Sequence, residues 1–139
     1  MVCSFSNENV FNPSLARIVV MKEDSFGLDL PNVCWHCKQC NAMENCPTKA
    51  LERNEEGLVF VNEKKCTGCT KCSEMCIIGA IRLHPERRTP LICNLCGGKP
   101  LCVQKCPTRA LTYVETGAQQ PRLPNQVIKE ALGRWRIFV

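Results

Sequence analysis

Thirteen cysteines in a chain of 139 residues carry most of the chemistry that this sequence could perform. All but Cys3 fall into three runs, in which neighbouring cysteines are separated by two, three or five residues. The runs are Cys34, Cys37, Cys40 and Cys46; then Cys66, Cys69, Cys72 and Cys76; then Cys93, Cys96, Cys102 and Cys106. Thiolates at this spacing can surround a small inorganic cube, because one loop brings three sulfurs to three of its corners. We therefore expect several [4Fe-4S] clusters, with their iron held by these cysteines.

The middle run separates this chemistry from three alternatives. It has three cysteines at a two-residue pitch and then a fourth, which matches the bacterial ferredoxin pattern except that Ile77 stands where that pattern has proline. Zinc sites instead combine pairs of cysteines that are separated by a dozen or more residues. A disulfide framework is typical of secreted chains, and residues 1–5 do not resemble a secretion signal. A thioredoxin-like redox pair fits less well still, because no lone Cys-x2-Cys pair lies at a strand-to-helix junction of the sequence.

Composition agrees with a small protein that is held together by metal clusters. The hydrophobic fraction of 45% includes all thirteen cysteines, and so it overstates how many residues could form an apolar core. Clusters would stabilise such a small fold directly, and we expect the apo-protein to be largely unfolded. The formal charge of +5 does not indicate nucleic-acid binding, because cluster thiolates cancel much of it. We also expect no membrane span and a cytoplasmic location, since an odd number of reduced cysteines suits that compartment.

The elements that must position these cysteines recur along the sequence with a period of roughly thirty residues. Each run ends in the same way, with a small residue and then an apolar one after the last cysteine, as in Cys46–Leu51, Cys76–Ile81 and Cys106–Leu111. A hairpin is predicted from Ala50 to Val61 around a turn at residues 54–57, and another from Ile81 to the segment after Arg88. A third joins strands at residues 16–22 and 26–30.

The predicted fold class is α+β. We expect a tandem bacterial-ferredoxin-like, dicluster fold, with short hairpins and short helices wrapped around the clusters, over residues 1–116. Residues 117–139 are expected to form a linker and a C-terminal helix capped by Asn125. Its apolar stripe either packs against the body or docks a partner subunit, and consists of Val127, Ile128, Ala131, Leu132 and Trp135.

A family resemblance rests on these same residues. Cys3-Ser4-Phe5, the segment Phe11–Ile18 and the three runs together resemble the ferredoxin-type subunits of anaerobic molybdenum and tungsten oxidoreductases, formate dehydrogenases and carbon monoxide dehydrogenases. The segment Cys93–Thr108 is most similar to small subunits of tungsten aldehyde oxidoreductases and tungsten-type benzoyl-coenzyme A reductases. The resemblance covers roughly residues 1–115 and implies a cytoplasmic electron-transfer subunit.

The resemblance also implies a ligand set for each of three clusters. Relatives carry four cysteine runs, which exchange their last cysteines in pairs, and here the first run is represented only by Cys3. The implied ligands are Cys34, Cys37, Cys40 and Cys76 for one cluster, Cys66, Cys69, Cys72 and Cys46 for the next, and Cys93, Cys96, Cys102 and Cys3 for the last. Cys106 is the alternative to Cys3. In the second run, relatives usually have their third cysteine at the position of Ala42. In this sequence Cys40 must therefore reach the same corner of the cluster through a loop of different shape.

The remaining residues that could take part in chemistry are expected to have structural roles. His36 lies inside a cysteine loop and His84 precedes a proline, but the cysteines suffice as ligands, so both histidines are expected to be structural or solvent-facing. Trp35 is expected to shield a cluster from water. No paired carboxylates, activated nucleophile or glycine-rich phosphate loop is recognisable in the sequence.

Three functional hypotheses follow. The first is a non-catalytic subunit that relays electrons between a catalytic oxidoreductase subunit, implied by the resemblance to contain tungsten, and a further donor or acceptor protein. The second is a free, diffusible polyferredoxin. The third is an iron–sulfur sensor or regulator, which is disfavoured because no DNA-recognition helix is apparent.

Overall fold

A computed structural model describes residues 1–24 and 27–113 of the chain. Short elements alternate along these residues, and none of them exceeds seven residues. The helices are α1 (Val2–Glu8), α2 (Asn41–Glu44), α3 (Lys71–Met75) and α4 (Leu101–Gln104), with one 3-10 turn at Pro13–Leu15. The strands are β1 (Val19–Glu23), β2 (Leu28–Asn32), β3 (Leu51–Arg53), β4 (Val59–Val61), β5 (Arg82–Leu83) and β6 (Pro90–Leu91). This mixture of short strands and short helices is consistent with a ferredoxin-like dicluster domain.

The strands form three separate antiparallel hairpins, β1–β2, β3–β4 and β5–β6. The hairpins predicted after the first and second cysteine runs are therefore confirmed. The first hairpin also exists, but its strands lie further along the sequence than expected. Ala16 closes the preceding 3-10 turn, where its N–H donates to the Pro13 carbonyl at 3.2 Å, and so it cannot begin a strand.

The repeat seen in the sequence is also a repeat of backbone geometry. Helices α2, α3 and α4 each end just before the last cysteine of a run. After that cysteine the backbone turns through a left-handed residue, at Lys49, Gly79 and Arg109, with φ of 51°, 63° and 53°. The N–H of each turn residue donates to the carbonyl of the cysteine, at 2.9–3.3 Å. Each run therefore leaves its last cysteine through the same tight turn.

The hydrophobic core lies between the cysteine runs and is small. Its central cluster consists of Ala42, Leu51, Val59, Ile81 and Ile92, all at most 5% exposed, and other apolar residues such as Ile78 and Leu91 are also buried. Cys34, Cys40, Cys72 and Cys76 are partly buried and pack against it. Ala42, where the sequence resemblance implied a cysteine, belongs to this cluster and is 1% exposed. Stabilisation by so few apolar side chains is modest.

An N-terminal helix that the sequence did not predict lies against the last cysteine run. Within α1, Glu8 forms an ion pair with Arg87 at 2.9 Å and a longer one with Arg17 at 3.8 Å. Arg17 Nη1 also donates to the Ile92 carbonyl at 3.3 Å, one residue before Cys93. These contacts bring Cys3, which α1 carries, to the third run.

The predicted C-terminal helix and its apolar stripe, from Val127 to Trp135, lie outside the described residues. Among the described residues, no helix has the length and apolar character needed to cross a membrane.

Leu51→Ala tests whether the small core limits stability. Leu51 is 4% exposed, and its truncation should cost roughly 2–5 kcal/mol, which lowers the thermal midpoint of the anaerobic holo-protein by on the order of 10 °C. Phe60→Ala is the control, because Phe60 belongs to the paired strand β4 but is 41% exposed. Circular dichroism measures the thermal midpoints. Equal shifts for the two variants would contradict the assignment of Leu51 to the core.

Candidate metal-cluster sites

The structure brings twelve of the thirteen cysteines together as three sets of four, which we call the first, second and third sites. The first site contains Cys34, Cys37, Cys40 and Cys76. The pKa of the Cys34 thiol is raised to about 12, mainly by burial and also by the charges of the other three cysteines, against a hydrogen bond from the His36 backbone. All four also line one cavity of about 390 Å³, counted with the open space at its mouth. The last cysteine of the middle run therefore joins the first three of the preceding run.

The second site is the reciprocal set, Cys66, Cys69, Cys72 and Cys46. Burial raises the pKa of the Cys72 thiol to about 11, with further contributions from Cys66, Cys69 and Cys46, and a hydrogen bond from the Ser73 backbone opposes it. These four thiols line a second cavity of about 340 Å³, again including open space. Two runs thus exchange their last cysteines across the small core.

The third site contains Cys93, Cys96, Cys102 and Cys3. Burial is the main cause of the raised pKa of Cys93, and among neighbouring charges Cys3 contributes most, ahead of Cys102 and Cys96. The pKa of Cys102 is raised in the same way, with Cys3 again the leading charge. Cys3 itself is 8% exposed, and its sulfur accepts the Arg17 N–H at 3.2 Å. Helix α1 therefore supplies the fourth thiol of this set.

Cys106 repeats the local geometry of Cys46. The Thr108 hydroxyl, at 3.6 Å, and the following backbone lower the pKa of Cys106. At Cys46 burial raises the pKa, but hydrogen bonds from Ala50 and Thr48 outweigh it and the pKa falls. Cys106 thus has the same hydrogen bonds as a cysteine that completes a set, although it is not among the leading charges on Cys93 or Cys102.

The donor chemistry of each set fits a [4Fe-4S] cluster, which takes four cysteine thiolates. Binding must displace the thiol protons, and iron provides the positive charge that offsets the repulsion between four neighbouring sulfurs. Backbone N–H groups already point at several sulfurs, as from Leu95 to Cys93 at 3.4 Å and from Ala50 to Cys46 at 3.3 Å. Among the described residues, no three cysteine, histidine or acidic side chains converge on the position of a single ion.

Arg53, on strand β3, holds the loop of the first site. Its Nη1 donates to the carbonyls of His36, at 3.1 Å, and Gly57. Its Nη2 donates to the carbonyls of Cys37 and Lys38. A single guanidinium therefore fastens three consecutive residues of the loop to the hairpin. Sequence reasoning missed Arg53, because no spacing rule connects a residue of a short strand with a loop that precedes it by about fifteen positions.

The other residues considered from sequence have structural contacts. His36 Nδ1 accepts the Val59 N–H at 2.9 Å. His84 is 7% exposed, and its Nδ1 accepts the N–H groups of Glu86 and Arg87 at 3.2 and 3.1 Å. Trp35 is half-buried and lines the cavity of the first site.

Comparisons with known proteins agree with this chemistry. Residues 26–116 match the family described as "4Fe-4S dicluster domain". The chain is 37% identical over 101 residues to an uncharacterised ferredoxin of Methanocaldococcus jannaschii, with 73% of this chain and 58% of that protein covered. It is 36% identical over 107 residues to the polyferredoxin-like subunit of an aliphatic sulfonate oxidoreductase of Pyrococcus furiosus, covering 76% and 61%.

A third relative is a subunit of the polysulfide reductase of Wolinella succinogenes, at 35% identity over 115 residues, covering 72% of this chain and 60% of that protein. The chain thus spans about three fifths of the length of these curated relatives. Two of them are, by name, parts of oxidoreductases. These names refer to sulfur compounds, so the link to tungsten aldehyde oxidoreductases that the sequence resemblance implied is not shown.

Arg53→Met should loosen the first site. Loss of several charge-assisted hydrogen bonds to the loop should speed the release of iron from this site to a chelator by about tenfold or more. The control is Arg82→Met, because within the described part of the chain the Arg82 side chain makes one hydrogen bond, to the Pro13 carbonyl at 3.4 Å, away from the loop. Anaerobic stopped-flow measurement of iron release checks the prediction, and equal rates for the two variants would count against the role of Arg53.

Proposed function

The protein belongs to the 4Fe-4S dicluster domain family, and on that premise we propose that it is a non-catalytic electron-transfer subunit that carries three [4Fe-4S] clusters. The family accounts for [4Fe-4S] clusters, two at least. The third cluster and its ligands are our proposal. The observation that carries it is the arrangement of the thiols, in which twelve cysteines gather as three sets of four.

The proposed ligands follow the three sites. The first cluster is held by Cys34, Cys37, Cys40 and Cys76, the second by Cys66, Cys69, Cys72 and Cys46, and the third by Cys93, Cys96, Cys102 and Cys3. A bound [4Fe-4S] cluster exchanges one electron without a proton-transfer or substrate-binding site of its own. The protein's part is to hold sulfur, bury it partly and direct N–H groups towards it, all of which adjust the reduction potential.

Proximity of the sites supports a relay. The first and second sites share their connecting segments, because α2 joins Cys40 to Cys46 and α3 lies between Cys69 and Cys76. The third site is attached to the same core through Ile92, which precedes Cys93 and is 5% exposed. Three redox centres in one small body suit the transfer of electrons between two other proteins.

We propose as partners a catalytic oxidoreductase subunit and a further electron donor or acceptor, in the cytoplasm. The names of two relatives, which belong to an aliphatic sulfonate oxidoreductase and a polysulfide reductase, support membership of such a complex. The similarity of residues 93–108 to the small subunits of tungsten enzymes supports a catalytic subunit that contains tungsten. A free polyferredoxin is the second candidate, favoured by the relative that is named simply a ferredoxin.

Affinity purification of the full chain under anaerobic conditions from its native host separates these candidates. We expect a stoichiometric second subunit, with tungsten in metal analysis of the complex. Molybdenum in its place would overturn the tungsten assignment alone. A monomer in gel filtration, without any co-purifying subunit, would instead favour the diffusible ferredoxin.

Serine substitutions at Cys3 and Cys106 test the ligands of the third cluster. Wild type should contain about twelve iron atoms and about twelve acid-labile sulfides per chain. Cys3→Ser should reduce iron to about eight per chain, because the third site loses a thiolate, and Cys106→Ser should leave about twelve. The reverse pattern would make Cys106 the ligand. Zinc without labile sulfide in the wild type would remove the proposed function altogether.

A further inference from the structure

The second cysteine of each run follows a left-handed residue, but only one of these three cysteines is exposed. The residues with positive φ, of 49°, 68° and 51°, are His36, Gly68 and Leu95. Cys37 and Cys96 are partly buried, whereas Cys69 is exposed. All thirteen cysteines lie within the described residues, and Cys69 is the one exposed cysteine among them. The second site therefore has a proposed ligand at the protein surface.

Gly68, which precedes Cys69, lets another segment approach this loop closely. Glycine adds no side chain and adopts a positive φ without strain. A Cβ on Gly68 would lie 3.3 Å from the Cβ of Arg88, which is tighter than ordinary van der Waals contact. Arg88 therefore packs directly against the loop, at the residue next to the exposed cysteine.

The turn of the β5–β6 hairpin holds Arg88 in this place. The Arg88 N–H donates to the His84 carbonyl at 2.9 Å, and the His84 N–H donates to the Thr89 carbonyl at 2.8 Å. The Arg88 backbone is left-handed, with φ of 56°, which is uncommon for a residue other than glycine. The place from which the arginine side chain starts is thus set by backbone contacts.

Arg88 gives the edge of the second site a positive charge. It is the one charged residue among those that line this cavity in the described part of the chain. Its side chain is exposed, and no ion pair with a described carboxylate neutralises it. A guanidinium stays protonated in proteins and binds carboxylates through two parallel hydrogen bonds. The cavity of the first site differs, because no charged residue lines it and Trp35 and Ile77 do.

We propose that the second site is the port through which the protein exchanges electrons with its further donor or acceptor, and that this partner presents a carboxylate to Arg88. The inference rests on the proposed function, since it requires a cluster at the second site. One electron passes between the partner's redox centre and the cluster, so that one is oxidised as the other is reduced, and no atom is transferred. Pairing of opposite charges speeds the encounter and orients the two proteins.

The experiment compares two small outer-sphere oxidants on anaerobically reduced holo-protein. Cobalt(III)–EDTA is anionic and bears carboxylates, whereas hexaamminecobalt(III) is cationic. Stopped-flow absorbance of the clusters gives a rate constant for each reagent. Their ratio reports the charge at the point of electron transfer, because a change in reduction potential alters both rates in the same direction.

Arg88→Gln should lower the ratio of the anionic to the cationic rate constant about threefold at low salt. The loss should shrink at 1 M salt, where charges are screened beyond about 3 Å. Arg88→Lys keeps the charge and should retain most of the wild-type ratio. A ferredoxin of net negative charge, used as a protein oxidant, should react about threefold more slowly with Arg88→Gln than with wild type.

Lys22→Gln is the control that is matched in net charge. Lys22 lies on strand β1, its side chain is 66% exposed, and the β1–β2 hairpin lines neither the first-site nor the second-site cavity. Its ratio should stay near that of wild type. A loss as large as that of Arg88→Gln would assign the effect to overall charge and would overturn the port.

Other results would also overturn the proposal. An unchanged ratio in Arg88→Gln would show that electrons pass at another site, and equal losses in Arg88→Gln and Arg88→Lys would show that packing and not charge is responsible. An unchanged rate with the acidic ferredoxin would remove the carboxylate partner.

A second variant covers the case in which Arg88→Gln loses iron. Thr67 is exposed and lines the same cavity, so Thr67→Glu adds a negative charge there without touching Arg88. It should lower the ratio, and an unchanged ratio would overturn the port. Wild-type protein without iron and labile sulfide would overturn the proposed function together with the port, and the iron count distinguishes this from a failure of the port alone.

Discussion

The burial of thiols that lie close to one another is the constraint on which the rest of this structure depends. Within the three sets, burial removes water from the thiols of Cys34, Cys72, Cys93 and Cys102, and the charges of neighbouring thiolates add to the resulting rise in their pKa. The raised pKa of Cys34 and of Cys72 expresses this directly. The arrangement becomes favourable only when positive charge binds to the sulfurs, which makes metal binding and folding parts of one equilibrium.

The backbone is organised around that constraint. Left-handed turns at Lys49, Gly79 and Arg109 release the backbone immediately after the last cysteine of each run. The short hairpins then return it to the next run, and their inner residues, Leu51 and Val59, fill the space between the first and second sites. Polar groups outside the sulfur sets hold the loops. Arg53 fastens one loop by its carbonyls, and Glu8 and Arg17 hold α1 beside the third site.

Local patterns in the sequence were sufficient to predict the hairpins β3–β4 and β5–β6. Each has a turn flanked by short apolar segments, and such pairing depends on residues close in the sequence. Helix α1 and the start of β1 were not predicted correctly. The position of α1 depends on contacts with distant residues, as between Arg17 and the Ile92 carbonyl, which no local pattern reveals. The start of β1 is displaced by the 3-10 turn that Ala16 closes. Ala42 is similar, since only the packing shows that it belongs to the buried apolar cluster while it also lines the cavity of the first site.

The sequence by itself determined the chemistry, because the spacing of cysteines dictates which sulfurs one loop can bring to one cluster. It also determined the repeat, since the same residue types end each run. Only the tertiary structure showed that helix α1 brings Cys3 near Cys93, and that Arg53 donates to the carbonyls of a cysteine loop. The physical reason is that hydrogen bonds and charge interactions depend on distances between segments far apart in the sequence, and the fold alone sets those distances.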